Sequence, residues 1–309
     1  GVSEALDQPQ SEPDLVFTVK ASEPGRYWIQ THAATDAKGT ELMRQAKGKQ
    51  QSMRLVMSVA GARPSRRVVF VPWSRPESCT QALGKYDLSG AEQDIRIWLP
   101  EGLRLDYIRI SPYVPPAVPA AVSSYEPTVV PPPSRPRLWA NAESLPGIRA
   151  NLDQGENAPL WKQLQERAAK AFEFTPPADA AVGYNSPLEA AAMAKAFVFL
   201  MTGDRERGRE AVVLMRDYLG AVEFDNLLDI TREIGRAIYA GSLVYDWCYE
   251  LMAPAERDIL RAGLLRLADD MEIGWPPFRQ MIVNGHGNEG QVNRDLLSMG
   301  IAIYDEDPV

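Results

Sequence analysis

The sequence predicts a two-part β plus α chain, with an all-β sandwich first and a succession of antiparallel helix hairpins after it. Three observations carry this expectation. From about Leu15 to Tyr113, short apolar segments alternate with period two between turn residues. Between Pro112 and Pro136, prolines stand at 112, 115, 116, 119, 127, 131, 132, 133 and 136. After Arg137 the apolar period becomes that of helices. At 309 residues the chain is also longer than one ordinary domain.

The strands are read from "LVFTVKA", "GRYWIQTHA", "MRLVMSVAG", "RRVVFVPW", "IRIWLP" and "LDYIRISPY". Each is rich in β-branched and aromatic residues and bounded by Pro or Gly turns, so six or more strands of a sandwich are expected. The first domain is therefore placed at 1–113. The proline density that follows excludes helix and favours an extended spacer, placed at 114–136.

The helical part occupies 137–309. A helix near Trp161 to Phe172 comes first. In the next, Ser186, Pro187 and Glu189 read as N-cap, first helical residue and capping-box carboxylate, with Gly203 as the stop. Asp204 to Gly220 repeats these devices. Stripes at Ile230, Ile234, Ala237, Ile238, Gly241, Val244, Tyr245 and Cys248, then at Leu260, Leu264, Leu267, Ala268 and Met271, mark two more. With Glu289 to Tyr304, about six helices in short-looped succession are expected, and such helices pack as antiparallel hairpins. Periodicity leaves a bundle, a superhelix and part of an α/α toroid equally open. The close of the chain at "YDEDPV", directly behind an apolar helix, predicts an array that is cut short.

Composition excludes several function classes. With 33 basic and 41 acidic residues the net charge is −8, which does not suit nucleic acid as a general partner. No apolar run approaches the ~18 residues of a membrane span. Cys79 and Cys248 lie in segments of different character, so neither a disulfide between them nor a disulfide scaffold is expected. "GVSEALDQPQ" has no export segment and reads as a mature or trimmed start. Phosphate-binding glycine loops, the G-x-S-x-G elbow and cysteine nucleophile motifs are absent from the sequence.

The chain has two histidines, and one stands in "MIVNGHGNEGQVNRD". His286 lies between two glycines on an expected loop behind "GWPPF", and Glu289 follows in the first turn of the last helix. Three readings stay open on sequence physics. Asn284 or Asn288 caps the helix while Glu289 serves its dipole; or His286 and Glu289 hold a metal, although no further ligand stands nearby; or His286 performs acid/base chemistry. Arg232, Glu233 and Arg236 flank an apolar stripe, where a solvated charged face is the ordinary outcome. Tyr239 and Trp275 have the ring surface to stack on a sugar, as do Trp28, Trp73 and Trp98 in the β region, although such rings more often fill cores. His32 is expected to be structural.

The segments "RPRLWANAESLPGIRANL", "LVYDWCYELMAPAERDILRAGLL" and "NGHGNEGQVNRDLLSMGIAIYDEDP" together resemble the heparinase II/III-like polysaccharide lyases, over about Arg135 to the C-terminus. The resemblance implies that the helices form an incomplete α/α toroid. It also implies β-elimination of a uronate-containing glycan such as heparin, heparan sulfate or alginate. In that chemistry a base removes the C5 proton beside the uronate carboxylate, whose charge must first be neutralised. By resemblance His286 works at C5 and Glu289 contacts the carboxylate. Asn284 and Asn288 share that contact, and Arg232 and Glu233 fall where the family binds substrate; Tyr239 and Trp275 join the substrate-binding set for their ring surface alone, not by resemblance. The family's catalytic tyrosine is expected on the order of fifty residues past the histidine motif, and a second histidine later still. Only half a site is then present, and the 309 residues are expected to be inactive alone. "PGRYWIQTHA" and "LDYIRISPY" similarly resemble strands of jelly-roll carbohydrate-binding modules.

The chain is read as the N-terminal portion of a secreted or periplasmic lyase. It needs no cofactor or metal, its partner is an acidic polysaccharide, and a homodimer is compatible with the sequence. Three rivals remain. A glycoside hydrolase would need paired carboxylates, for which Asp225, Asp229 and Glu233 are candidates. A uronate C5-epimerase begins with the same proton abstraction, and a non-catalytic glycan-binding protein would use the helices only as structure.

Overall fold

The computed structural model describes residues 9, 11–45, 52–70, 78–115, 126, 128–178, 181–224, 226, 230–271 and 289–307. The chain is a mixed β and α structure, with antiparallel sheets first and helices after. Strands β1 (Leu15–Lys20), β2 (Gly25–Thr35), β3 (Met53–Val59), β4 (Ser65–Phe70), β5 (Ser78–Leu88), β6 (Glu92–Trp98) and β7 (Leu103–Pro112) make two sheets, ordered β1-β6-β3-β4 and β5-β2-β7. The period-two pattern does what it should. Tyr27, Ile29 and Ala33 of β2, Leu55 and Met57 of β3, and Ile95 and Ile97 of β6 point into one apolar core shared by both sheets.

A helix interrupts this region where only strands and turns were expected. Helix α1 (Ala37–Gln45) follows β2, and the Asp36 carboxylate accepts from the Lys38 and Gly39 amides. An aspartate caps nine residues whose propensity is modest, and burial of Met43 anchors the helix. Trp28 and Trp98 lie in different sheets and form no common platform. Trp28 packs edge-on against Tyr113, and the Trp98 indole donates to Ser11 O; Trp73 lies outside the described residues. His32 lies 3.2 Å from Asp106 and stacks on Tyr107.

Seven α-helices follow among the described residues, one more than the periodicity suggested. They are α2 (Leu145–Asn151), α3 (Asn157–Ala169), α4 (Ser186–Thr202), α5 (Arg205–Leu219), α6 (Thr231–Trp247), α7 (Pro254–Met271) and α8 (Glu289–Ile303). The addition, α2, is two turns long and too short to show a period. Helix α4 is apolar nearly all round and is correspondingly buried, with its neighbours stacked on it. The one charged residue at its centre, Lys195, is 1% exposed. Its ammonium donates to Ala168 O, Lys170 O and Glu210, so it satisfies carbonyls that the C-terminus of α3 leaves open.

The start of α4 corrects one expectation. Asn185, rather than Ser186, is the N-cap, its Oδ1 accepting from Leu188 N at 2.9 Å. Ser186 and Pro187 are the first two helical residues, and Glu189 is therefore too deep in the helix to close a capping box. Gly203 does end α4 in the left-handed region, at φ 79°, where a Cβ would be strained. Asp204 caps α5 as expected, but Gly220 closes it at an ordinary right-handed φ of −73°.

The two parts lock together through side chains. Lys85 of β5, 2% exposed, donates to both the carbonyl and the carboxylate of Asp269 near the end of α7, and Arg26 of β2 pairs with the same carboxylate. These cations also offset the unfavourable placement of acidic groups at a helix C-terminus. Asn226 bridges the edges of the two sheets, accepting from Val68 N at 2.6 Å and donating to Val68 O at 3.0 Å and Ala82 O at 2.6 Å. Arg67 of β4 donates to Phe224 O at 2.7 Å.

The segment that enters the helical part is clamped as firmly. Asp246, fully buried near the end of α6, accepts from Arg135 Nη1 at 2.9 Å, Arg137 N at 2.7 Å and Leu138 N at 2.9 Å. The Trp247 indole donates to Leu138 O at 3.0 Å. Thus the "YDW" phrase serves to hold residues 135–138 against α6. No described helix is long and apolar enough to cross a membrane.

Candidate functional site

Residues four and seven positions apart share a helical face, so Arg232, Arg236 and Tyr239 line one side of α6. Against this side runs α8, and the contact is close because Gly235 faces Asp295, which is fully buried. A Cβ at Gly235 would collide with the Asp295 carboxylate. We expect Gly235→Ala to lose about 1–3 kcal/mol in urea unfolding, as overpacked helix contacts do. An unchanged midpoint would show that α8 yields at no cost.

At the α8 side, Gln291 donates to Arg232 O at 3.2 Å. Arg294 pairs with Asp295 at 2.7 Å and lays its guanidinium 4.4 Å from the centre of the Tyr239 ring. Burial raises the Asp295 carboxyl above its ordinary range against the opposing pull of Arg294. The Tyr239 hydroxyl in turn accepts from the Trp139 indole at 2.6 Å.

At the other end of this face lies a hydrogen-bonded relay. Arg236 donates to Tyr184, Tyr184 donates to Glu189, and the Tyr218 hydroxyl donates to Glu189 Oε1 at 3.2 Å while accepting from Asn185 N at 3.1 Å. Glu189 is 3% exposed. Its burial outweighs these hydrogen bonds and the nearby Arg236, and Glu233 adds to the rise, so its pKa is pushed up to about 8. Glu189 is therefore largely protonated at neutral pH. Burial raises the Tyr218 hydroxyl too, so it stays a donor. The face carries Arg232, Arg236 and Arg294, of which Arg294 pairs with Asp295 and Arg236 with Tyr184, on a protein of net charge −8.

Of the residues singled out from sequence, Arg232, Glu233 and Tyr239 come together here. Glu289 opens α8, which runs along this same face; His286, Asn284, Asn288 and Trp275 lie outside the described residues, as do Asp225 and Asp229. Glu189, Tyr184, Tyr218, Arg294 and Trp139 were not singled out as site residues. Only Glu189 carried a signal, and it pointed to a helix cap instead.

A cavity of about 540 Å³ lies on the far side of Trp247, lined by Arg135, Arg149, Arg205, Asp246, Glu250 and Asp305. Its charges pair internally, Arg205 with Glu250 at 3.2 Å and Arg135 with Asp246 at 2.9 Å, which leaves no excess for a ligand. Among the described residues no cluster of His, Cys, Asp and Glu is arranged to hold a metal ion.

No family model matches the chain, and no curated protein does. Among solved structures the chain is similar to a β-glucosidase from Paenibacillus barengoltzii, at 14% identity and a TM-score of 0.23. That match covers 33% of this chain and 9% of the β-glucosidase, so the chain spans less than a tenth of that protein. It is also similar to the GH26-CBM35 β-(1,4)-mannanase of Podospora anserina, at 11% identity over 93% of this chain and 76% of the other, with a TM-score of 0.27. Likenesses at these values carry no argument about chemistry.

Proposed function

We propose that the chain is the N-terminal portion of a heparinase II/III-like polysaccharide lyase, a jelly-roll-like β-sandwich joined to part of an α/α toroid, that acts on a uronate-containing glycan. The observation that carries this reading is the cationic and aromatic face of α6 and α8, with Arg232, Arg236 and Arg294 around Tyr239. Such a face suits an anionic sugar, since guanidinium groups pair with carboxylate and sulfate and the ring offers stacking surface.

The reaction assigns further roles. A uronate carboxylate resists loss of the C5 proton until its charge is offset, and a protonated carboxyl offsets it by donating a hydrogen bond. Glu189, neutral at pH 7 and 3% exposed, does not reach the sugar itself; it supports the face from behind through Tyr184, which Arg236 also meets. His286 takes the C5 proton, the C4–oxygen bond breaks to leave a C4–C5 double bond, and an acid protonates the departing oxygen. Glu289, Asn284 and Asn288 hold the carboxylate. The setting is secreted or periplasmic, where such polymers occur.

The 309-residue chain should bind heparin or alginate oligosaccharides in calorimetry with affinity that falls as salt rises, and should bind a neutral mannan at least about tenfold more weakly, because screening acts on charge. It should release no unsaturated uronate. Preference for the neutral glycan, or release of saturated reducing ends, would sink the lyase reading in favour of a hydrolase.

A further inference from the structure

We infer that Trp139, together with Tyr239, forms an aromatic subsite that stacks on a pyranose ring of an acidic oligosaccharide, with Arg294 placed to meet the ring's acidic substituent. The inference rests on the acidic-glycan reading above.

The geometry behind it is unusual for a residue of this type. Trp139 is 69% exposed, and its backbone sits in the left-handed region at φ 65°. A bulky side chain is disfavoured there, and glycine or asparagine would serve the turn better. Burial gives no compensation, since most of the ring faces solvent. Yet the chain on its N-terminal side is fixed on Asp246 and Trp247, and its indole N–H is held by the Tyr239 hydroxyl. Strain that the surroundings maintain at a defined side chain points to use of that side chain.

Its neighbours define the ligand. Trp139 packs edge-on against Trp247 at 5.7 Å, and Trp247 in turn meets Phe197, so the exposed ring stands at the end of a row of aromatics rooted in the helical core. Tyr239 lies 6.3 Å away at 45°, with Arg294 over its ring. An aromatic pair held rigid by packing, with a guanidinium beside it, offers both a flat face for sugar C–H groups and a charge for a carboxylate or sulfate.

Trp139→Gly tests the inference at a φ that glycine adopts freely, and its unfolding midpoint checks that loss of the Trp247 and Tyr239 contacts leaves the fold intact. In calorimetry with heparin and alginate oligosaccharides it should bind roughly fivefold or more weakly than the wild type, the loss expected for one stacked ring, while its unfolding midpoint stays level or rises. Trp139→Phe should keep most of the affinity and should lose the part of the tryptophan fluorescence change that oligosaccharide produces in the wild type. Wild-type affinity in Trp139→Gly overturns the subsite alone. Failure of the wild type to bind either acidic glycan overturns the glycan reading, and the subsite with it.

Discussion

Replacing Asp246 by alanine is expected to cost about 3–5 kcal/mol of stability, the loss typical when one partner of a buried ion pair is removed. The carboxylate is fully buried and takes three donors at once, from Arg135 and from the amides of Arg137 and Leu138. Alanine leaves Arg135, itself mostly buried, without its closest partner; Asp305 and Glu306 stand at 3.5 and 3.8 Å. Two backbone amides lose their acceptor as well. Asparagine should rescue little, because its NH₂ group would face a donor wherever it is turned. A drop of roughly 10 °C in the thermal midpoint follows from the usual scaling for chains of this size. If Asp246→Asn unfolds with the wild type, the clamp is incidental.

The second large effect is a pH dependence. Glu189 has its pKa raised to about 8 in the folded chain, against about 4.5 when unfolded. Between these values the folded state holds the proton and the unfolded state does not, so stability falls as pH rises from about 4.5 to about 8 and changes little beyond. The span corresponds to an effect on the order of several kcal/mol. The groups facing Glu189 are Tyr184, Tyr218 from α5, and Arg236 and Glu233 from α6. Asp270, raised to about 6 chiefly by burial, and Asp295, also raised by burial, act in the same direction, so over pH 6–8 it is the comparison with a Glu189 variant that isolates Glu189. Glu189→Gln removes the ionisation and keeps the shape. Urea midpoints of the variant should be flatter than those of the wild type across that window, and equal slopes would mean that Glu189 is ionised in the fold.

Both effects depend on residues whose meaning the sequence shows only in part. Six of the seven strands were legible because one face of each sheet is buried, and Ile29, Leu55 and Ile95 keep the period that burial imposes; β5, "SCTQALGKYDL", was missed because its apolar positions do not alternate. Gly203 and Asp204 were legible because capping is local chemistry. Asn185 and Ser186 were not separable, since both residue types cap and neighbours decide between them. Helix α1 was hidden because its cap and a single buried Met43 are weak signals inside a β pattern. The site divides along the same line. Arg232, Glu233 and Tyr239 were visible as a helical face, whereas Glu189 acquires its character from Tyr218 and Tyr184, which lie on other elements. Trp139 depends on a backbone angle that no periodicity encodes.

The lock between Lys85, Arg26 and Asp269 has a consequence for how a long polymer would meet this chain. Two surfaces joined by a floating tether explore many separations, and the second contact forms at an effective concentration that the tether's length sets. Here the proline-rich connection is bypassed by a buried ammonium, so the β and α parts have one separation and one orientation. A chain molecule that touched both would be chosen by whether its own repeat matches that spacing, and lengthening the connection would change nothing while the lock held.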